Sequence, residues 1–165
     1  MSDDVFPDRS MEHRDKIAWM IETNGWAVNP VDPRPDLRPP RGGYVYTIGL
    51  RDLFGFPEVV VCGLTPSAAN GLLGELVGLL RDGVSLPIGE QFLGLLDGEQ
   101  RSALVPVDVR AHSDRFDALH DWYGHDWYGS DDVGIVQLVW PDRNGFLPDE
   151  VGFDQRLRFA QPLLT

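Results

Sequence analysis

The chain has 165 residues, with 26 acidic against 14 basic side chains and a formal net charge of −12. A chain of that length fits one domain burying roughly 70% of its unfolded surface, so no disulfide or metal staple is required; the single cysteine, Cys62, rules out an internal disulfide. The negative field opposes nucleic-acid phosphates and anionic membrane surfaces, and no stretch reaches the roughly 18–20 unbroken apolar residues of a membrane span.

Residues 1–9 are polar and read as a flexible N-terminus, leaving residues 10–165 as a single domain. Residues 1–25 hold no apolar leader segment, so a soluble, cytoplasmic protein is expected. Asp8 or Ser10 caps a helix that runs to about Asn24, with Ile17, Met20, Ile21 and Asn24 on one face. Gly25 stops it, and a short strand follows from Trp26 to Asn29. Residues 30–43 contain Pro30, Pro33, Pro35, Pro39 and Pro40 and read as an extended connector closed by Gly42-Gly43.

The centre of the chain is a pair of strands at 44–50 and 57–63. Tyr44, Tyr46, Ile48 and Leu50 share one face of the first strand, and Val45, Thr47 and Gly49 the other. Both faces are apolar, as in a strand covered on two sides. Gly49 marks a bulge or a close backbone approach. Phe54-Gly-Phe-Pro57 turns the chain. Thr65-Pro66 then opens the clearest helix, an N-cap followed by a first-turn proline. Ala69, Leu72, Leu73, Leu76, Leu79 and Leu80 form its apolar stripe, Gly74 and Gly78 allow close packing on the sheet, and Gly83 ends it.

Val84 to Ile88 and Phe92 to Leu96 read as two short strands, and Ala103, Val105, Val107 and Val109 as a half-buried edge strand. Ser113 caps a short helix with Phe116, Leu119 and His120 inward. Gly134 to Pro141 is another strand apolar on both faces, followed by a turn at Asp142-Arg-Asn-Gly145. Phe153, Leu157 and Phe159 pack back, with a last helical turn. Strands come in neighbouring groups, so the fold class is α+β. A mostly antiparallel sheet, open or barrel-like, packs with two or three helices.

Chemistry-bearing motifs are sparse. His120-Asp-Trp-Tyr-Gly is repeated at once as His125-Asp-Trp-Tyr-Gly. A five-residue step places the two imidazoles roughly 140° apart on a helix, so His120 and His125 are weak metal candidates and no metal is expected. Asp121 and His125 are four apart, an acid–base spacing without a nucleophile upstream. There is no nucleophile elbow, no zinc-protease motif, no Cys-x-x-Cys and no Gly-rich phosphate loop. Cys62, mid-strand, reads as a buried inert thiol. Thr47, Glu58, Gln137 and Asp142 are polar groups in or beside apolar strands. Thr47 and Gln137 either satisfy one another, or the four line a pocket with Tyr46 and Trp140 as its walls.

Gly25-Trp26, Tyr46-Thr-Ile-Gly-Leu50, Pro57-Glu-Val-Val-Val-Cys-Gly-Leu64, Gln137-Leu-Val-Trp-Pro-Asp142 and Gly145-Phe-Leu-Pro148 occur in that order. In these motifs the chain resembles a bacterial domain-of-unknown-function family, numbered 4262, over about residues 12–154. The resemblance implies a small soluble bacterial protein and no particular reaction. Departures are Asp149, where an aromatic is expected after the proline, and the doubled pentapeptide. A looser fold analogy, a strand with Thr-x-Gly-Leu, then a Pro-led strand and a helix, is similar to split-barrel flavin proteins. Arg41 and Arg51 are the only cations near that segment to meet a flavin phosphate, and no cofactor is expected.

Two functional readings remain. Between His112 and Asp154 ten acidic residues face two arginines, a local −8. With Asp121, Trp122, Tyr123, Asp126, Trp127 and Tyr128 this makes an acidic aromatic face, suited to a non-catalytic module that binds a basic protein. The alternative is a small enzyme or ligand carrier using the pocket near Thr47, Glu58, Gln137 and Asp142, with flavin binding as a minor variant. Oligomeric state is open.

Overall fold

Three five-residue strands, every residue of them buried, lie side by side at the middle of one sheet: β2 (Tyr44–Ile48), β3 (Glu58–Cys62) and β6 (Ile135–Val139). The computed structural model describes residues 13–125, 127–128 and 133–165. The flexible terminus at 1–9, the cap at Asp8 or Ser10 and the side chain of Asp126 lie outside the described residues. The flanking strands are β1 (Ala27–Val31), β4 (Gln91–Phe92) and β5 (Ser102–Pro106), in the spatial order β1-β2-β3-β6-β5-β4. Every pairing is antiparallel except β3 with β6, which is parallel with Glu58 opposite Ile135 and Val60 opposite Gln137.

Among the described residues four α-helices accompany the sheet, α1 (His13–Asn24), α2 (Leu50–Phe54), α3 (Pro66–Arg81) and α4 (Asp117–Tyr123). Strand alternation divides the core. Tyr44, Tyr46, Ile48, Val60, Cys62 and Ile135 face α1 and α4, packing on Ile17, Met20, Phe116 and Leu119. Val45, Val59, Val61, Val136, Leu138 and Leu104 face α3, on Ala69, Leu73, Leu76 and Val77. Thr65 caps α3 as its sequence requires, its hydroxyl accepting from the Ala68 amide at 3.2 Å.

Several expectations are corrected. The sheet is open and not a barrel, because its two edges, the proline-bearing β1 and the two-residue β4, lie at opposite ends of the order. The flavin split-barrel analogy therefore loses its fold basis. Among the described residues the helices number four, not two or three. The extra one is α2, where Leu50 leaves the strand direction: Gly49 has a φ of +110° and packs so closely that a Cβ would stand 3.2 Å from the Gly25 oxygen and the Trp26 Cα. Residues 84–100 form one two-residue strand, not two strands. Gly74 and Gly78 do not meet the sheet; a Cβ at either faces open space. Of the described helices, none is long and apolar enough to cross a membrane.

Candidate functional site

Glu58 opens β3 directly after Pro57 and is fully buried. Its Oε1 accepts from the Thr47 hydroxyl at 2.9 Å and the Leu50 amide at 3.1 Å. Its Oε2 accepts from the Tyr123 hydroxyl at 2.7 Å and from the amides of Gly49 at 3.1 Å and Arg51 at 3.4 Å. The Val59 amide in turn donates to the Thr47 oxygen at 2.9 Å. The carboxylate thus satisfies the first turn of α2 and ties it to α4. Burial pushes its pKa up, and the donors from Tyr123, Thr47 and the backbone pull it only part of the way back. Burial and the adjacent Glu58 charge also raise the Tyr123 phenol, so it stays a donor. With both oxygens occupied, Glu58 organises a turn.

The other proposed pocket residues go elsewhere. Thr47 and Gln137 do not pair: Thr47 shares its face with Val45, Gln137 shares its face with Ile135, and β3 lies between their strands. Gln137 instead donates to the Pro162 carbonyl at 2.7 Å and accepts from the Leu164 amide at 2.9 Å. The register of Glu58 with Ile135 sends Asp142 seven positions along the parallel strand direction, roughly 20 Å from Glu58. There it accepts from the amides of Asn144 at 2.9 Å, Phe146 at 3.0 Å and Asp154 at 2.9 Å. Burial opposes the Asp142 charge, but these three N–H groups hold its pKa below the ordinary value. Trp140 donates its indole N–H to the Cys62 carbonyl at 2.9 Å, and Tyr46 accepts from the Ala118 amide at 3.2 Å.

Much of the aromatic segment turns inward. Tyr123 reaches Glu58, and Trp127 is 7% exposed, donating its indole N–H to His120 Nδ1 at 3.1 Å. The remaining His120 nitrogen, Nε2, therefore carries the proton and donates to the Ser113 carbonyl at 3.0 Å. His125 stacks on that ring at 5.8 Å. Both nitrogens of His120 are engaged, and among the described residues no three metal-ligating side chains gather. Tyr128 packs edge-on against Trp127 at 5.3 Å. Trp122 lies half-buried beneath the Arg14 guanidinium at 5.2 Å, and Asp121 is exposed.

The opposite end of the sheet holds a cavity of about 230 Å³ that sequence reasoning missed. It lies beyond the end of β3, between the 39–43 connector, the short 3₁₀ turn at Ser113–Arg115 and the C-terminal segment at 158–162. Openings of this kind beyond the carboxyl ends of parallel strands are common ligand positions. Three arginines line it, Arg41, Arg115 and Arg158. Arg41 pairs with Asp114 at 2.8 Å. Arg158 donates to Gln155 at 2.8 Å and to the Pro148 carbonyl at 3.2 Å.

Arg115 differs from both. Its backbone carbonyl accepts from the Tyr44 hydroxyl at 2.8 Å, which fixes the turn, and its guanidinium lies 5.6 Å over the Tyr44 ring. Among the described residues no acceptor meets its side chain, and its Nε is buried and unpaired. Burial, then the like charge of Arg41, lowers its pKa. Cys62 closes the floor, its thiol pushed by burial up to about 12 and hence protonated. Of the three arginines only Arg41 drew notice in the sequence. Arg115 did carry one signal, as one of only two cations in the acidic stretch from His112 to Asp154.

Residues 20–154 match the family described as Domain of unknown function (DUF4262). No curated protein and no solved structure matches the chain.

Proposed function

The chain belongs to the DUF4262 family, a designation that carries no reaction, and we propose that it is a binding protein for a small anion held in the arginine-lined cavity. The observation that carries this reading is Arg115, a guanidinium that lines the cavity and meets no acceptor among the described residues, in a chain of net charge −12. A cavity-lining guanidinium without a protein acceptor is suited to make charge-assisted hydrogen bonds to a bound anion. Binding fits the lining better than catalysis does. Besides the arginines it consists of proline, glycine, alanine, phenylalanine and a protonated cysteine, with no general base.

The test is calorimetric titration of the wild type and Arg115→Gln with two probes, benzoate and inorganic phosphate, at constant ionic strength. Saturable binding of one probe that weakens at least about tenfold in the variant is expected. No saturable heat from either probe, or equal affinity in the variant, would overturn the reading.

The local charge of −8 between His112 and Asp154 supports a second reading, docking of a basic protein around exposed Asp121 and half-buried Trp122. Its capture would weaken steeply with salt; salt-independent capture would count against it.

A further inference from the structure

We infer that the ligand of this cavity is a monocarboxylate with a flat apolar body, about the size of one ring and its acid group; this rests on the anion reading above. Three features of the lining select that class.

The first is charge. Of the three guanidinium groups, Arg41 is paired with Asp114 at 2.8 Å, and Arg158 gives Nε to Gln155 and one Nη to the Pro148 carbonyl. Arg115 is the one of the three whose side chain meets no acceptor among the described residues. A guanidinium edge offers two parallel N–H groups, which match the two oxygens of one carboxylate. A phosphate dianion would bring a second negative charge beside Asp114 in a chain already at −12.

The second is the wall chemistry. Pro39, Pro40, Phe159, Ala160 and Pro162 bring no polar side-chain atom to the cavity. Cys62 beneath them stays neutral because its pKa is pushed up to about 12. A ligand body rich in hydroxyl or amide groups would lose hydrogen bonds to water here, whereas an apolar body loses none. Pro39, Pro40 and Phe159 stand at the exposed rim, flat surfaces against which a planar ring can lie.

The third is size. About 230 Å³ falls below the roughly 300–1,000 Å³ of pockets that take drug-sized ligands. A nucleotide or a flavin does not fit within it, and a single six-membered ring with a carboxylate does.

The experiment compares benzoate, its neutral isostere benzamide and inorganic phosphate by calorimetric titration at fixed ionic strength, on the wild type, Arg115→Gln and Arg115→Lys. Far-UV circular dichroism and melting of each variant verify that the fold is kept. Benzoate is expected to bind one to one, at least about tenfold tighter than phosphate and benzamide. Arg115→Gln should weaken it at least about tenfold, and Arg115→Lys, which keeps the charge and loses the fork, should fall in between. Phosphate binding as tightly as benzoate, and still lost in Arg115→Gln, overturns the carboxylate class while the anion site stands. Benzamide matching benzoate overturns the role of the charge. No saturable binding of any probe to the folded wild type removes the anion site and this inference with it.

Discussion

Replacing Glu58 by alanine should be among the most damaging single changes in this chain. The substitution removes the acceptor of five hydrogen bonds, three of them from the buried or half-buried amides of Gly49, Leu50 and Arg51. The Thr47 and Tyr123 hydroxyls can rotate; the amides cannot. An orphaned buried donor costs about 1–3 kcal/mol. Two of the three left unrecovered put the loss at roughly 3–5 kcal/mol, after some relief from no longer burying a carboxyl group. Against a total stability of about 5–15 kcal/mol that is a large share. A domain of this size loses about 2–4 °C of melting temperature per kcal/mol, so the midpoint should fall by about 10–15 °C. The assay is thermal unfolding followed by tryptophan fluorescence at neutral pH, with urea unfolding as the equilibrium measure. A variant melting within about 2 °C of the wild type would refute the claim that Glu58 holds α2 in place.

Tyr123→Phe removes one of those donors and should cost about 1–2 kcal/mol alone and less on top of Glu58→Ala, where the phenol still accepts from the Gly49 amide; fully additive losses in a double-mutant cycle would break the proposed coupling. Gly63→Ala should lower the midpoint by about 5 °C or more, because Gly63 has a φ of +84° and a Cβ there would stand 2.8 Å from the Ala160 carbonyl; an unchanged midpoint would show that the C-terminal segment yields freely. Asp142 has a folded pKa below the ordinary value, so its contribution is present above the unfolded pKa of about 4 and is lost as pH falls through the folded one. Urea titrations should therefore find Asp142→Asn less stable than the wild type at neutral pH, with the gap closing in acid; a gap that persists or widens there contradicts the sign. Thr65→Ala should cost about 1 kcal/mol through loss of the α3 cap, measured by the same titration, and no loss would mean that the Ala68 amide finds another acceptor.

The three central strands were legible because each carries its own signal, a short run of β-branched and aromatic residues bounded by glycine or proline. The start of α3 was legible for the same reason, since Thr65 and Pro66 act on the next turn of chain and nothing else. The 50–54 helix was hidden because its cause is remote: Glu58 and Tyr123 supply the acceptor and the tie that a five-residue helix lacks on its own. The aromatic repeat at 120–128 misled in the opposite sense. Its acidic setting suggests a surface, but Trp127 and Tyr123 find buried partners in His120 and Glu58.

From the order of its residues alone the chain sets its α+β class, its main strands, the cap of its longest helix and the burial of Cys62. Strand order, the parallel alignment of β3 with β6 and the gathering of Arg41, Arg115 and Arg158 around one cavity came only with the tertiary structure. The physical reason is range. Hydrophobic period and turn chemistry act between residues a few positions apart. The connector at 39–43, the turn at 113–115 and the C-terminal segment at 158–162 that build the cavity are each more than forty positions from the next, and they meet because the two faces of the sheet must both be covered.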